Sequence, residues 1–237
     1  MIAVLDYGIG NLRSAEKALV HLGADARLVS DPDAVGDATG VVLPGVGAFG
    51  PCAAALRHSG LAAAAADAIG RNVPFLGICV GFQLLYEGSD EQPDAAGLGV
   101  LSGKVRSISR EVKRPQMQWN VLDRKPGVPS AMLEGLTEHP WVYFVHSYAP
   151  EVSDATVATC DYGGPVVAAA EQGNVWGTQF HPEKSGAIGL AILANFVASC
   201  VPRTAGSLNT RRDPRDALSH ESKGVSSGGE LPKRSQS

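Results

Sequence analysis

Short apolar runs alternate with amphipathic or alanine-rich segments over the first third of the chain. The apolar runs predict buried strands at residues 1–6, 26–29, 40–43 and 73–76. The segments between them predict helices at residues 12–22, 51–57 and 61–70. Asn11 is placed to cap the first helix, and Gly23 is placed to end it. A β-α-β-α-β order whose strands are apolar throughout is typical of a parallel sheet that helices cover on both faces.

The pattern changes between residues 100 and 180, where short β-rich runs are separated by turns. These runs are residues 141–145, 156–159, 166–170 and 174–180. They predict an antiparallel or mixed extension of the sheet, and the apolar spacing of residues 188–196 predicts a closing helix. The predicted fold class is therefore α/β: an open, mostly parallel, flavodoxin-like sheet with helices on both faces and an antiparallel or mixed β extension in its second half.

The last part of the chain has a different composition. After about residue 202 it is rich in Ser, Gly, Pro and charged residues and carries almost no large apolar side chains. Such a segment buries too little apolar surface to offset the entropy lost on ordering. We therefore predict one domain over residues 1–202 and a disordered tail over residues 203–237.

Composition and charge narrow the function classes. The 237 residues are 44% hydrophobic and 19% charged, which is typical of a globular domain. The net charge of −4 argues against nucleic acid or an anionic membrane as a main partner. No apolar run approaches the roughly 18 residues that a transmembrane helix needs. The N-terminus reads as a first strand and not as a secretion signal.

The four cysteines are scattered along the chain, at Cys52, Cys79, Cys160 and Cys200. Their spacing matches no metal site, and we expect neither a metal nor another cofactor. Free thiols in a reducing, cytoplasmic setting are expected. A cysteine in that setting can remain a nucleophile.

One of these cysteines lies in a motif that carries chemistry. Cys79 stands between Gly77 and Gly81, after the apolar run 73–76 and before residues 82–86, which read as a helix. A Gly-x-nucleophile-x-Gly pattern between a strand and a helix is typical of a nucleophile elbow. The sharp turn leaves no room for a side chain at either glycine and lifts the thiol above the edge of the sheet.

A base and an orienting carboxylate stand about a hundred residues downstream, at His181 and Glu183. Together with Cys79 they have the composition of a catalytic triad, which predicts acyl transfer through a thioester. The N–H of Val80, next after the nucleophile, is the natural first donor to an oxyanion. The glycine-rich loop 44–47 (PGVG) is the natural source of the second.

A cysteine that follows an apolar strand is usually a small core residue. The flanking glycines, the His-Pro-Glu triplet and the PGVG loop together favour catalysis for Cys79. The remaining cysteines lack such surroundings and are expected to be packing or surface thiols.

These motifs resemble the class I (triad) glutamine amidotransferases. Further segments resemble the glutaminase subunits of imidazole glycerol phosphate synthase, an enzyme of histidine biosynthesis. The segments are residues 6–12 (DYGIGNL), 44–49 (PGVGAF), 143–148 (YFVHSY) and 179–185 (QFHPEKS). The resemblance runs in register over about residues 1–200. It implies hydrolysis of L-glutamine to glutamate and ammonia, with the ammonia passing to a separate cyclase subunit that makes imidazole glycerol phosphate and an aminoimidazole carboxamide ribotide.

The resemblance also implies roles for individual residues. The triad would be Cys79, His181 and Glu183, and the oxyanion hole would use Val80 and Gly47 after a rearrangement around Val46. The residues implied for glutamine binding are Gln83, Glu91, Ser147 and Tyr148. Those implied for docking on the cyclase subunit are Asn11, Trp119, Tyr143 and Lys184. In one departure, the family usually reads His-Met-Gly-Trp-Asn where this chain has residues 116–120 (QMQWN), so Gln116 and Gln118 are unusual.

Other functions stay open on the residues alone. The chain could supply ammonia to a different synthase, such as one that makes pyridoxal phosphate, anthranilate or a purine. It could be a non-catalytic docking subunit of the same fold, or a cysteine hydrolase of γ-glutamyl peptides. The Gly-x-Gly at residues 8–10 hints at a dinucleotide loop, but Arg13 stands where the third glycine belongs.

Overall fold

The computed structural model describes residues 1–201, which are built around one eight-stranded sheet. Its strands and those of two smaller sheets are, in chain order, β1 Ile2–Leu5, β2 Ala26–Val29, β3 Gly40–Gly45, β4 Phe75–Cys79, β5 Gly88–Ser89, β6 Lys104–Ser107, β7 Gln116–Val121, β8 Asp123–Arg124, β9 Trp141–His146, β10 Tyr148–Pro150, β11 Thr156–Asp161, β12 Pro165–Gln172 and β13 Val175–Thr178. The α-helices are α1 Leu12–His21, α2 Phe49–His58, α3 Leu61–Gly70, α4 Val80–Gln83 and α5 Gly186–Ser199. Two short 3₁₀ turns lie at Pro32–Val35 and Pro182–Lys184.

The main sheet is parallel over its first five strands, in the order β2-β1-β3-β4-β13, and antiparallel over the remaining three, β12, β11 and β8. Every residue of β1, β3, β4 and β13 is buried, because helices cover both faces of this part of the sheet. The predicted fold class is confirmed.

Strand β13 joins the sheet from far downstream in the sequence. It pairs in parallel with β4, so that Val175 lies opposite Phe75 and Thr178 lies opposite Ile78. Gly177 makes the close packing possible, because a Cβ at this position would overlap the ring of Phe82. The carboxyl ends of β3, β4 and β13 therefore lie side by side, where ligands of open α/β sheets usually bind.

The helices agree with the hydrophobic pattern except at two places. Helix α3 spans the predicted residues 61–70, and α1 buries Ala15 and Leu19 against the sheet. Asn11 lies at the N-cap position of α1 as predicted, but its side chain does not make the expected cap hydrogen bond.

The helix predicted at residues 82–86 is wrong, because α4 ends after one turn at Gln83. The backbone carbonyls of Leu84, Leu85 and Tyr86 accept hydrogen bonds from the N–H groups of residues 98–101. The three side chains are also fully buried. The N–H groups of Leu85 and Tyr86 donate to the carbonyls of Phe82 and Gln83, three residues back, so a turn follows α4 in place of a longer α-helix.

The two smaller sheets lie in the second half of the described chain. One has the order β10-β6-β5, and the other is an antiparallel ribbon of β7 and β9. In residues 1–201, no helix is long and apolar enough to cross a membrane. The tail predicted at residues 203–237 lies outside the described residues, so the proposed domain boundary stays a prediction.

Candidate active site

The turn after β4 places the thiol of Cys79 at the edge of the sheet. Cys79 has a φ of 55°, a left-handed conformation that side chains other than glycine rarely adopt. A Cβ on Gly77 would lie 2.8 Å from Gly81 O, and a Cβ on Gly81 would overlap Leu43 O. Both glycines are therefore required by backbone that packs directly against them, as the elbow motif predicts.

His181 and Glu183 reach the same edge because β13 ends next to β4. The ring Nδ1 of His181 lies 2.8 Å from Glu183 Oε1, and both side chains are 2% exposed. The backbone holds the histidine on both sides: its N–H donates to Tyr143 O at 3.1 Å, and its carbonyl accepts from Ser185 Oγ at 2.7 Å. The carboxylate thus fixes the ring, and Nε2 is left for another partner.

Electrostatics favour a protonated ring at His181. Burial opposes the charge, but interactions with the Cys79 sulfur and the Glu183 carboxylate outweigh it and raise the pKa of His181 to about 9. Nε2 is buried and has no hydrogen-bond partner among residues 1–201, so it is the nitrogen available to the sulfur. The three predicted triad side chains therefore lie together.

A cavity of about 600 Å³ opens over the sulfur. Most of the residues predicted from the sequence line it, namely Asn11, Val46, Gly47, Cys79, Val80, Gln83, Glu91, Ser147, Tyr148, His181 and Lys184. Gly10, Pro115, Val145 and His146 complete the lining. Three other predicted residues, Glu183, Trp119 and Tyr143, do not line it. The volume lies in the range of small-molecule sites.

The end of β3 and the loop that follows it are held by hydrogen bonds from two buried side chains. Tyr7 OH donates to Pro44 O at 2.7 Å, and the Cys52 thiol donates to Val46 O at 3.3 Å. Burial raises the pKa of Cys52, which keeps this thiol protonated and able to donate. Gly47 follows with a φ of +89° and has open space where a Cβ would be, so its backbone is free of side-chain obstruction.

The residues predicted to bind glutamine lie on the wall of the cavity, and two of them also make internal bonds. Gln83 is 3% exposed and donates to Tyr148 O at 2.9 Å and to Gln179 Oε1 at 3.0 Å. Glu91 Oε2 accepts from the N–H of Phe49 at 2.8 Å, at the start of α2. Glu91 thus fixes α2 relative to the cavity.

The residues predicted to dock on a partner divide into two groups. Asn11 and Lys184 flank the triad carboxylate: Asn11 Nδ2 donates to Glu183 Oε1 at 3.2 Å, and Lys184 is the next residue along the chain. Trp119 and Tyr143 pair edge to face on the β7–β9 ribbon, with ring centroids 6.1 Å apart.

One face of the ribbon is apolar and exposed to solvent. Met117, Trp119 and Trp141 are 61%, 47% and 54% exposed, and the pairing register places all three on one face with Tyr143. Large apolar side chains clustered at the surface are typical of a binding face.

The opposite face of the ribbon contains the unusual Gln116. Its side-chain amide is fully buried and bridges His146 Nε2, at 2.9 Å, and Cys160 Sγ, at 3.7 Å. His146 Nδ1 lies 2.9 Å from Tyr148 O. Burial, assisted by the nearby charge of His181, lowers the pKa of His146 to about 4, so this ring is neutral at neutral pH.

One residue that touches the sulfur is not among those predicted from the sequence. Gln179 is fully buried, and its Nε2 donates to Cys79 Sγ at 3.8 Å. Gln179 opens the QFHPEKS segment at the carboxyl end of β13, and this position next to the predicted base is the sequence signal for it. The other cysteines are all buried, and residues 1–201 contain no cluster of three or more side chains able to hold a metal ion.

Comparisons with known proteins agree with this geometry. The family model for glutamine amidotransferase class-I matches residues 3–200. The imidazole glycerol phosphate synthase subunit HisH of Salinibacter ruber is 45% identical over 215 residues, covering 87% of this chain and 98% of that protein. Its namesake in Bacillus cereus is 44% identical over 197 residues, covering 83% of this chain and 93% of that protein. A crystal structure of a glutamine amidotransferase aligns with 84% of this chain and 98% of its own chain, with a TM-score of 0.67. Its sequence identity is 20%, so this likeness shows the fold alone.

Adding one methyl group at the elbow should destabilise the protein. We expect Gly81→Ala to lower the free energy of unfolding by about 1–3 kcal/mol, because its Cβ meets the backbone of β3. Gly70→Ala is the matched control: it lies exposed in α3 with open space around it and should be neutral or stabilising by up to ~1 kcal/mol. Urea unfolding measures both, and equal stabilities for the two variants would contradict the packing argument.

The buried neutral His146 should make stability sensitive to acid. Its folded pKa, about 4, lies below its ordinary value of 6.5, so the unfolded chain takes up the proton first as the pH falls. Between pH 6.5 and 4 this costs up to about 3 kcal/mol of stability. Because the pKa of His181 is raised, that ring is charged in both the folded and the unfolded chain below about pH 6, and it adds little to the change in stability over this range.

Urea unfolding at pH 7 and pH 4.5 measures this effect. We expect His146→Gln to lose less stability between the two pH values than the wild type does. His58→Gln, a change at an exposed histidine, should lose as much as the wild type. An identical pH dependence in all three proteins would show that His146 does not titrate as described.

Proposed function

The chain belongs to the class I glutamine amidotransferases and, among them, to the family of the HisH subunits of imidazole glycerol phosphate synthase, and on this premise we propose that it is the glutaminase of such a synthase. It hydrolyses L-glutamine to glutamate and ammonia at Cys79. The observation that carries the proposal is that Cys79 and His181 line one cavity, while Glu183, behind the ring, holds His181 Nδ1 at 2.8 Å. The cytoplasm is the proposed setting.

The reaction would begin with attack of the Cys79 thiolate on the side-chain carboxamide carbon of glutamine. The raised pKa of His181 keeps its ring protonated at neutral pH, so the ring can give its proton to the departing nitrogen. The C–N bond breaks, ammonia leaves, and a γ-glutamyl thioester remains on the sulfur. The neutral ring then takes a proton from water, the resulting hydroxide attacks the thioester, and glutamate and the thiolate are released.

The oxyanion formed in both steps would be bound by backbone N–H groups of Val80 and Gly47, two residues that line the cavity together with Cys79. Each such donor is typically worth on the order of 10²–10³ in rate. The hydrogen bond from Cys52 holds the carbonyl of Val46, and this carbonyl belongs to the same peptide group as the N–H of Gly47. A rearrangement that turned this peptide group over would therefore break the hydrogen bond from Cys52.

Glutamine would be held by its polar ends. Its α-carboxylate and α-ammonium would meet the backbone of Ser147 and Tyr148 and the side chains of Gln83 and Glu91, which form the wall of the cavity. A carboxylate such as Glu91 suits the ammonium by charge.

A separate cyclase subunit would consume the ammonia; the relatives are each named as one subunit of imidazole glycerol phosphate synthase, which supports a second subunit. The exposed apolar face of the β7–β9 ribbon and Lys184 provide a surface for it. Asn11 extends this surface to the triad, because its amide is hydrogen-bonded to Glu183. A partner that displaced Asn11 or engaged Lys184 would therefore act on the carboxylate that orients His181.

Loss of the nucleophile should abolish glutamate production. With the purified chain, its cyclase subunit and the cyclase's nucleotide ligand, we expect Cys79→Ala to lower glutaminase turnover by about 10⁴-fold or more, because no thioester can form. Cys200→Ala, a change at a buried thiol outside the cavity, should keep wild-type turnover. Turnover by Cys79→Ala at the wild-type rate would refute the proposed mechanism.

Assays on the purified proteins, together with a growth assay, distinguish the alternative functions. Turnover of γ-glutamyl peptides without any partner would indicate a peptide hydrolase, and partner binding without turnover would indicate a docking subunit. Rescue of a histidine auxotroph that lacks this subunit supports the histidine pathway. Rescue only of a different auxotroph would assign the chain to another synthase.

The exposed ribbon should contribute strongly to docking. We expect Trp119→Ala to weaken binding of the cyclase subunit by about 10- to 100-fold, since buried tryptophans are frequent hot spots of interfaces. Val152→Ala changes another exposed apolar residue, which lies away from the ribbon, and should leave the affinity unchanged. Titration calorimetry measures both, and unchanged affinity in Trp119→Ala would place the interface elsewhere.

A further inference from the structure

The sulfur of Cys79 lies at the end of a chain of buried amide groups. Gln179 Nε2 lies 3.8 Å from Cys79 Sγ, and Gln179 Oε1 accepts from Gln83 Nε2 at 3.0 Å. Gln83 Nε2 also donates to the backbone carbonyl of Tyr148 at 2.9 Å. Gln179 is fully buried and Gln83 nearly so, which means that solvent has little access to compete for these bonds.

The carbonyl of Tyr148 determines which way each amide points. The oxygen and nitrogen of a side-chain amide can exchange places by rotation, but a backbone carbonyl only accepts. Gln83 must therefore present its NH₂ group to Tyr148, and the same NH₂ group faces Gln179. Gln179 in turn must present its oxygen to Gln83, so its own NH₂ group necessarily points at the sulfur.

We propose that Gln179 is a further catalytic group of this glutaminase, donating an N–H hydrogen bond to the Cys79 thiolate, and that Gln83 is its positioning residue. The inference rests on the proposed function in that Cys79 is the nucleophile. A thiolate accepts hydrogen bonds and cannot donate them, so a donor held in a fixed orientation favours the charged sulfur over the thiol. The thiol has an alternative acceptor in the carbonyl of Val145, 4.0 Å away.

This arrangement also limits what Gln83 can do for glutamine. Both N–H groups of Gln83 are used inside the protein, one on Tyr148 and one on Gln179. Only its oxygen is left for a ligand in the cavity, which suits the ammonium of glutamine and not its carboxylate. Gln83 can therefore bind substrate and orient Gln179 at the same time.

The rate of alkylation of Cys79 by iodoacetamide tests the proposal on the free full-length chain, because it reports the thiolate directly and needs neither glutamine nor a partner. The Cys79→Ser protein gives the background from other thiols. We expect Gln179→Leu, which has a similar volume but no donor, to lower the rate at pH 7 about tenfold. The midpoint of the pH–rate profile should rise by about one unit, as for the loss of a hydrogen bond to a charged group.

The other titratable groups that interact with the sulfur, namely His181, Tyr7 and Cys52, are unchanged in this variant. Thr178→Val is the matched control. Thr178 immediately precedes Gln179, and its buried hydroxyl donates to Phe180 O and not to the sulfur, so the variant loses a buried hydrogen bond of a different kind. It should be alkylated as fast as the wild type. Wild-type alkylation of Gln179→Leu, or equal slowing in Thr178→Val, would overturn the proposal.

Gln83→Leu provides a second measurement that does not depend on the folding of Gln179→Leu. If Gln83 orients Gln179, alkylation should slow severalfold although no glutamine is present. If Gln83 only binds glutamine, alkylation is unchanged and the positioning role fails. Turnover by Cys79→Ala would instead refute the proposed function itself, so the two failures are distinguishable.

Discussion

The active site depends on two parallel strands that end side by side although they are far apart in the sequence. The pairing of β13 with β4 brings the elbow at Cys79 next to the segment that carries His181. The packing around these strand ends tolerates very little side-chain volume: Gly77 and Gly81 meet the backbone of α4 and β3, and Gly177 meets the ring of Phe82. A shift of either strand by one residue would turn the neighbouring side chains to the opposite face and separate Cys79 from His181.

Much of this arrangement follows from the sequence, because it depends on local signals. The apolar runs located the strands of the parallel sheet, and the two glycines around Cys79 identified the elbow. The predictions failed where distant residues decide the structure. The helix predicted at residues 82–86 becomes a turn after Gln83, and the carbonyls of this turn pair with residues 98–101. The side chain of Asn11 donates to Glu183 and makes no cap hydrogen bond to α1.

Polar residues that look unrelated in the sequence share hydrogen-bond acceptors in the fold. Glu183 Oε1 accepts from both His181 and Asn11, and the carbonyl of Tyr148 accepts from Gln83 and lies within hydrogen-bond distance of His146. No local pattern predicts such sharing, since each partner comes from a different element. The consequence is that the orientation of one group constrains the others, and the triad, the cavity wall and the predicted docking surface form one network.

The order in which the chain is synthesised has a bearing on this site. Cys79 precedes Gln179 by 100 residues, and the base follows two positions later. A ribosome that has completed the elbow has therefore made a thiol with no imidazole and no amide donor beside it. Nascent chains and fragments truncated before β13 cannot assemble the triad. The proposed glutaminase site therefore stays incomplete until nearly the whole described fold has been translated.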